Sequence, residues 1–282
     1  MKIVSSSFGS KNSTQSRANP GFTSDIVAEP TGITGAALIS YGVKPEFITI
    51  SEKRDERVAE LIAKYSINAA PLAANVSVAD ALLLVVKPQD MGAVLEEIKG
   101  SINPAAVVIT FAAGKTISFI SNGLGTGNPV VRVMPNTPTL VGAGMAAASI
   151  GAGVTEAQKG FVLGFLAATG KVIEVGEELQ DAVTATSGSG PAYFFAFVEA
   201  MVAGAKELGL SDADATALTV QTIVGAAKLL DESGKSATTL RENVTSPNGT
   251  TAAALASFGA GDLNSMVAKA MKAARDRSQE LA

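Results

Sequence analysis

Ala81-Leu-Leu-Leu-Val-Val86 is apolar at every position, without the polar alternation of a strand that has one wet face. A short run of this kind fits a strand covered on both sides, as in a parallel sheet with helices above and below it. Outward from it the same signal recurs at Phe47-Ile-Thr-Ile50, Ala106-Val-Val-Ile-Thr110, Val130-Val-Arg-Val133 and Val172-Ile-Glu-Val175. Helical patterns fall between these runs, near Ala36–Tyr41, Arg54–Tyr65, Met91–Lys99, Ile117–Leu124 and Glu156–Thr169. The alternation predicts an α/β fold over residues 1–175, a Rossmann-like doubly wound sheet with ligands at the carboxyl ends of its strands.

After Gly176 the strand signal stops. Glu177–Thr186, Ala192–Leu208, Asp212–Leu230, Ala237–Asn243, Thr250–Phe258 and Asp262–Gln279 all read as helices, with Ser211 and Asp214 as a capping box and Gly234 as a stop. Residues 176–282 are therefore expected to form an all-α domain. Its first long helix carries Tyr193, Phe194, Phe195, Phe197, Val198, Met201 and Val202, apolar nearly all round until Lys206. Such a helix must be covered on every side, which predicts a subunit interface, with a central helix of a monomeric bundle as the competing reading.

Composition narrows the chemistry. The chain has 282 residues, 47% of them apolar, a formal charge of −4 and a pI near 5.1, so it gives no electrostatic reason to expect nucleic acid or an anionic membrane as partner. It has no Cys and no His. Thiol nucleophiles, histidine triads and most zinc sites are thereby removed, and no metal is expected; the chemistry must come from carboxylates, Lys, Tyr, hydroxyls, backbone dipoles or a cofactor. Met1-Lys-Ile-Val-Ser-Ser-Ser lacks the apolar run of a secretory signal, and the long uncharged stretches at 133–155 and 182–198 are broken by Pro and Gly. A cytoplasmic location is the default expectation.

A doubly wound sheet usually binds a dinucleotide through Gly-x-Gly-x-x-Gly after its first strand. The best match is Pro30-Thr-Gly32-Ile-Thr34-Gly35, behind a weak strand at Asp25-Ile-Val-Ala28. Its first position is a proline, which has no N–H and fixes φ near −65°, so Gly32 is left for close backbone approach and Gly35 for helix–strand packing. Residues 1–24 read as an unstructured leader, in preference to a first strand at Met1–Val4 followed by a loop of about 20 residues. After the second strand come Ser51, Glu52, Lys53 and Arg54. A hydroxyl with nearby cations suits the 2′-phosphate of NADP, so NADPH is the expected donor and NADH the alternative.

In the second half, Val244-Thr-Ser-Pro-Asn-Gly-Thr-Thr251 stops one helix, turns through Pro247-Asn248-Gly249 and opens another. Backbone N–H groups at a helix start have no internal partner and carry partial positive charge, so a small carboxylate could sit there; a capped turn between packed helices is the plainer reading.

Together with Thr186-Ser-Gly-Ser-Gly-Pro-Ala-Tyr193 and Val131-Arg-Val-Met-Pro-Asn-Thr-Pro138, this turn resembles the pyrroline-5-carboxylate reductases, and the similarity runs over about residues 36–282. Val86-Lys-Pro-Gln89, Ala112-Ala-Gly114, Asp181-Ala-Val-Thr184 and Leu240-Arg-Glu-Asn-Val244 add to it. The resemblance implies reduction of a cyclic imine by NADPH, giving proline. By position it places Asn75, Val86, Lys87 and Pro88 at the adenosine and ribose, and Ala112, Ala113, Gly114, Met134, Pro135 and Asn136 on the nicotinamide side. Ser246, Gly249, Thr250 and Thr251 match the substrate loop. Backbone N–H groups of Gly249 and Thr250 are expected to take the carboxylate, and the Thr251 hydroxyl the ring nitrogen. It also implies dimers with interlocked helical domains, often assembled into larger rings such as a decamer. The nearest rival, a β-hydroxyacid dehydrogenase or imine reductase, carries a Lys about four residues after the last serine of its similar Gly-Ser-Gly helix. Here Phe194 stands near that place, and no Lys follows until Lys206. A non-catalytic cofactor-binding regulator is the rival from another class, suggested by Pro30.

Overall fold

The computed structural model describes residues 2–6 and 30–281. In chain order its first part contains strand β1 (Lys2–Ser6), helix α1 (Pro30–Tyr41), β2 (Ile48–Glu52), α2 (Asp55–Tyr65), β3 (Asn68–Ala69), α3 (Leu72–Val78), β4 (Ala81–Leu84), α4 (Met91–Ile98), β5 (Val107–Thr110), α5 (Ile117–Leu124), β6 (Val130–Met134), β7 (Gly144–Ile150), α6 (Glu156–Ala167) and β8 (Gly170–Glu174). Helices follow: α7 (Gln180–Val183), a π-helical turn (Thr184–Gly188), α8 (Gly190–Glu207), α9 (Asp212–Glu232), α10 (Ala237–Asn243), α11 (Thr250–Ala260) and α12 (Leu263–Glu280). Two compact units result, Met1–Ser189 with Ala274–Ala282, and Gly190–Ala273. The division at Ser189 falls later than the one read at residue 175 from the loss of strand signal.

The strands form one sheet in the order β3-β2-β1-β4-β5-β6-β7-β8. The all-apolar runs are explained by its two covered faces. Leu83, Val107, Ile109, Val131 and Val133 pack on one side with Leu38 of α1 and Phe161 and Phe165 of α6. Their neighbours Leu82, Leu84, Val108 and Val130 pack on the other, with Met91, Leu95 and Ile98 of α4 and Ile120 and Leu124 of α5. Each strand sends successive side chains to opposite faces, so apolar residues are called for at consecutive positions.

The sheet is not wholly parallel, as a doubly wound reading of the runs would have it. β7 runs antiparallel to β6, because only residues 135–143 separate them and a parallel return needs a crossover of a dozen or more residues. The strand hides in the sequence as Gly-Met-Ala-Ala-Ala-Ser-Ile, which lacks the β-branched residues that mark the other strands. β1 is antiparallel to both β2 and β4. Lys2–Ser6 is therefore part of the sheet, not of a leader. Without an occupant between β2 and β4, two rows of backbone N–H and C=O groups would face each other unpaired at the sheet centre, and Ile3 and Val4 suit an extended segment there. The rest of the proposed leader and the weak strand at Asp25–Ala28 lie outside the described residues.

Since β1 opposes both β2 and β4, those two run the same way, and β4, β5 and β6 are mutually parallel. The carboxyl ends of all four strands thus open on one edge.

Candidate active site

At the end of β2 the Ser51 hydroxyl donates to Ala70 O at 2.9 Å and accepts from Asn75 Nδ2 at 3.0 Å, and both side chains are buried. Glu52 turns back on its own chain: its Oε1 accepts from the N–H of Lys53 at 3.0 Å and of Arg54 at 3.1 Å, and its side chain is only 2% exposed. The carboxylate that would compete for a ribose hydroxyl is occupied with the α2 entry, whereas Lys53 and Arg54 remain exposed. Val86 is buried beyond β4, Lys87 is exposed, and Pro88 opens a single 3-10 turn. Gly114, beyond β5, has φ of +75°, a conformation that L side chains rarely adopt.

Gly32, Thr34 and Gly35 do not form a turn ahead of a helix. They lie inside α1, which begins at Pro30, where a missing N–H leaves no helical bond unmade. Gly35 is buried, and among the described residues nothing comes within 4 Å of a Cβ built on it. Thr34 does meet other assigned residues. With Met134, Pro135 and Asn136 it lines a cavity of about 210 Å³, mostly apolar, to which Thr139 and Lys171 also contribute. Ser51, Asn75, Val86–Pro88 and Ala112–Gly114 do not line it.

Asn136 has a role that the sequence reading missed. Its Oδ1 accepts from Met145 N at 2.8 Å and its Nδ2 donates to Ser187 O at 3.1 Å. Ser187 O is the carbonyl that residue 191 would engage in a regular helix, but Pro191 has no N–H to give. The freed carbonyl coincides with the π-helical turn Thr184–Gly188, and Asn136 takes it. Gly188 lies under Met134, whose Cε would be 2.6 Å from a Cβ built there. The helix α8 begins at Gly190, two residues ahead of the Ala192 start read from the sequence.

A second feature was missed. Arg132, in the middle of an apolar strand, is 4% exposed; its Nη2 lies 3.3 Å from Asp181 Oδ1 and its Nη1 3.5 Å from Glu177 Oε1. A charged residue inside a buried strand demands such partners, and that demand was the available signal.

In the second unit, α10 ends at Asn243 and the chain turns before α11. Gly249 N–H donates to Ser246 O at 3.1 Å, closing the turn, and Asn248 sits at a φ of 58°. The Gly249 N–H expected to reach a carboxylate is therefore used within the loop. Gly249 is the N-cap of α11 and among the described residues no side chain caps the helix, so the N–H groups of Thr250, Thr251 and Ala252 are those of an open first turn. A Cβ at Gly249 would run into Ser246 Oγ and lie 3.2 Å from Ser246 O. Ser246 and Thr250 are exposed and Thr251 half-buried.

Residues 177–281 match the family model described as pyrroline-5-carboxylate reductase dimerisation, and residues 31–114 match one described as NADP oxidoreductase, coenzyme F420-dependent. The pyrroline-5-carboxylate reductase of Corynebacterium melassecola is 39% identical over 250 residues, covering 87% of this chain and 93% of the relative. The chain belongs to the pyrroline-5-carboxylate reductase family. The Pseudomonas aeruginosa enzyme of the same name is 40% identical over 247 residues, covering 87% of this chain and 90% of its own. Among solved structures, the reductase of Coxiella burnetii matches with a TM-score of 0.81 at 35% identity, covering 89% of this chain and 94% of that one. The Plasmodium falciparum pyrroline carboxylate reductase, solved with NADP bound, matches with a TM-score of 0.78 at 27% identity over 89% and 93%. Membership in the family accounts for the surface of the second unit. Phe194 and Phe195 are each 63% exposed, Leu218 58% and Met266 59%, more apolar surface than a lone helical unit keeps in water, as a dimerisation domain requires. Among the described residues no helix is long and apolar enough to cross a membrane.

Proposed function

We propose that this chain reduces 1-pyrroline-5-carboxylate to L-proline with NADPH as donor. The observation that carries the reading is the uncapped start of α11 behind the Ser246–Gly249 turn: a helix start whose side-chain cap is replaced by glycine is shaped for an anion, and the substrate is a small carboxylate. The first unit fits the dinucleotide on three counts: the inward-turned Glu52 beside exposed Lys53 and Arg54, the Gly114 backbone that tolerates no Cβ, and the mostly apolar cavity at Thr34 and Met134–Asn136.

NADPH, when bound, supplies the hydride. The chain's part is to hold and orient. N–H groups of Thr250 and Thr251 take the carboxylate, in place of the Gly249 N–H that closes the turn. The Thr251 hydroxyl hydrogen-bonds the ring nitrogen, which arrives protonated from water, so no histidine is needed and positioning supplies much of the rate. Asn75 and Ser51 shape the adenosine end, and Asn136 keeps Met134 and Pro135 in place through its two backbone hydrogen bonds. A cytoplasmic homodimer is the working unit in this reading, and a decamer its higher assembly.

The test is direct. Purified full-length protein mixed with NADPH and the cyclic imine should consume the reduced nicotinamide absorbance and yield proline in equal amount. A folded sample that binds NADPH and leaves the imine untouched would overturn the reading in favour of a cofactor-binding regulator.

A further inference from the structure

The Ala112–Gly114 loop is anchored in the core at Ala112, which is 5% exposed, but is weakly held by hydrogen bonds of its own among the described residues. Its own hydrogen bonds are long, Ala112 N–H to Thr110 Oγ1 at 3.4 Å and Lys115 N–H to Ala112 O at 3.4 Å. What lies against it is the other end of the chain. A Cβ built on Gly114 would meet Leu281 carbonyl C at 2.8 Å, Leu281 Cβ at 2.9 Å and Ser278 O at 2.9 Å, closer than side chains approach in proteins. Most of α12 is counted with the second unit, but Ala274–Ala282 is counted with the first.

That last turn is itself fastened. Ser278 is 2% exposed and its hydroxyl donates to Asp181 Oδ1 at 2.8 Å. The same oxygen accepts from Arg132 Nη2 at 3.3 Å, and the guanidinium also faces Glu177, whose Oε1 accepts from Ile117 N–H at 2.6 Å. Leu281 N–H donates to Ser278 O at 3.2 Å, so the two groups that touch Gly114 move together. The ion group, with Arg132 buried and Glu177 and Asp181 half-buried, thus reaches β6, α7, the start of α5 and the C-terminal turn. Its strength lies in shared, charge-assisted hydrogen bonds, and removing one member loosens the rest.

We propose that the last turn of α12 is a positioning element of the cofactor site, with Ser278 as the residue that locks it: the Ser278–Asp181 bond holds Ser278 O and Leu281 against Gly114 and thereby fixes the Ala112–Gly114 loop in the shape that accepts the dinucleotide. Ser278 touches no reacting atom and acts through Gly114. The inference rests on the NADPH reading above, but concerns how the loop is held and not what is reduced.

The experiment is Ser278→Ala in the full chain, with the NADPH dissociation constant measured by nicotinamide fluorescence, KM for each substrate, and hydrogen exchange over residues 111–116. The expected result is a rise of about fivefold to tenfold in Kd and KM for NADPH, part of the cost of one charge-assisted hydrogen bond because Ser278 acts through Gly114, with kcat and the KM for the imine within about twofold and faster exchange over 111–116. An unchanged NADPH affinity, or an equal rise in both KM values, would overturn it. Should Ser278→Ala not fold, Gly114→Ala approaches the contact from the loop side, and retained NADPH affinity there overturns the proposal equally. Wild-type protein that binds NADPH but leaves the imine unreduced would sink the functional reading alone. Wild-type protein that does not bind NADPH would sink both.

Discussion

Two helix starts in this chain look alike in sequence and differ in structure. α1 opens with Pro30 followed by Gly32 and Gly35, and α11 opens behind Gly249 with Ser246, Asn248 and a pair of threonines. At α1 the glycines lie within the helix, and among the described residues Gly35 meets no neighbour that a Cβ would strike. At α11 the glycine closes a hydrogen-bonded turn, its space is taken by Ser246, and the residue before it has been pushed to positive φ. Glycine spacing is informative where a neighbour or a backbone angle requires glycine, as at Gly249 and Gly114, and weak where neither does. The comparison predicts that the substrate end is sensitive to small changes and the α1 end tolerant of them.

The largest effect is expected at α11. Thr251→Ala keeps the helix start and its backbone N–H groups but removes the hydroxyl. Loss of one oriented hydrogen bond to a charged or polarised group costs about 1.5–3 kcal/mol, so kcat/KM for the imine should fall roughly ten- to a hundredfold. NADPH affinity, read by fluorescence, should not change. If NADPH binding fell as far as turnover, the separation of the two helix starts into substrate and cofactor duties would be broken.

Much of this was legible because local and long-range demands coincided. The runs at Ala81–Val86 and Ala106–Thr110 read as strands with two covered faces, and α5 has the bounds read for it, Ile117–Leu124, fixed by the Thr116 hydroxyl, which accepts from Phe119 N–H, and by Gly125 at a φ of 65°. α10 likewise follows Ser236 as its cap. The strand at Gly144–Ile150 was not legible, being specified by a short connection, and the one at Lys2–Ser6 stood only as the lesser alternative at Met1–Val4, because what requires it is a gap in the sheet. At the site, the residue types were visible and their commitments were not. That Gly249 N–H serves the turn and that Asn136 serves a carbonyl freed by Pro191 depends on partners 3 and 51 residues away along the chain, respectively. Arg132 and Asp181 stood in the motifs that carried the resemblance, yet their pairing with Ser278 needed the fold to bring the C-terminus back.

A middle-sized effect should sharpen the cofactor side. Arg54 is the N-cap residue of α2, with its Nε 3.6 Å from Glu52 Oε1 and its side chain 57% exposed. Arg54→Ala removes a cation while Glu52 stays bound to the backbone N–H groups of residues 53 and 54, so the substitution should not free the carboxylate for a ribose. The ratio of kcat/KM for NADPH to that for NADH should then drop by about tenfold or less, near 1.4 kcal/mol, the scale of one partly exposed ionic hydrogen bond. The drop should come from weaker NADPH binding and not from better NADH use. A rise in NADH efficiency would mean that Glu52 had been released, and an unchanged ratio would remove Arg54 from the cofactor site.

The smallest effect is expected at Pro30, and it bears most directly on the comparison. If the first fingerprint position had to donate its N–H to the pyrophosphate, restoring an N–H with Pro30→Gly should tighten NADPH by about tenfold or more, one hydrogen bond to a charged group. Pro30 instead occupies the first position of α1, where the N–H has no helical partner and the ring's fixed φ suits the helix. Glycine there loses that preorganisation, worth about 0.4–1 kcal/mol through the unfolded chain, while gaining a donor that the helix itself does not use. The first change acts on folding and the second supplies a donor that this helix start does not aim at a phosphate, so KM for NADPH should move by less than about threefold in either direction, with a small fall in melting temperature. A tenfold tightening would show that the α1 start is a starved phosphate site after all, and that its difference from α11 lies in one missing donor and not in the design of the two helix starts.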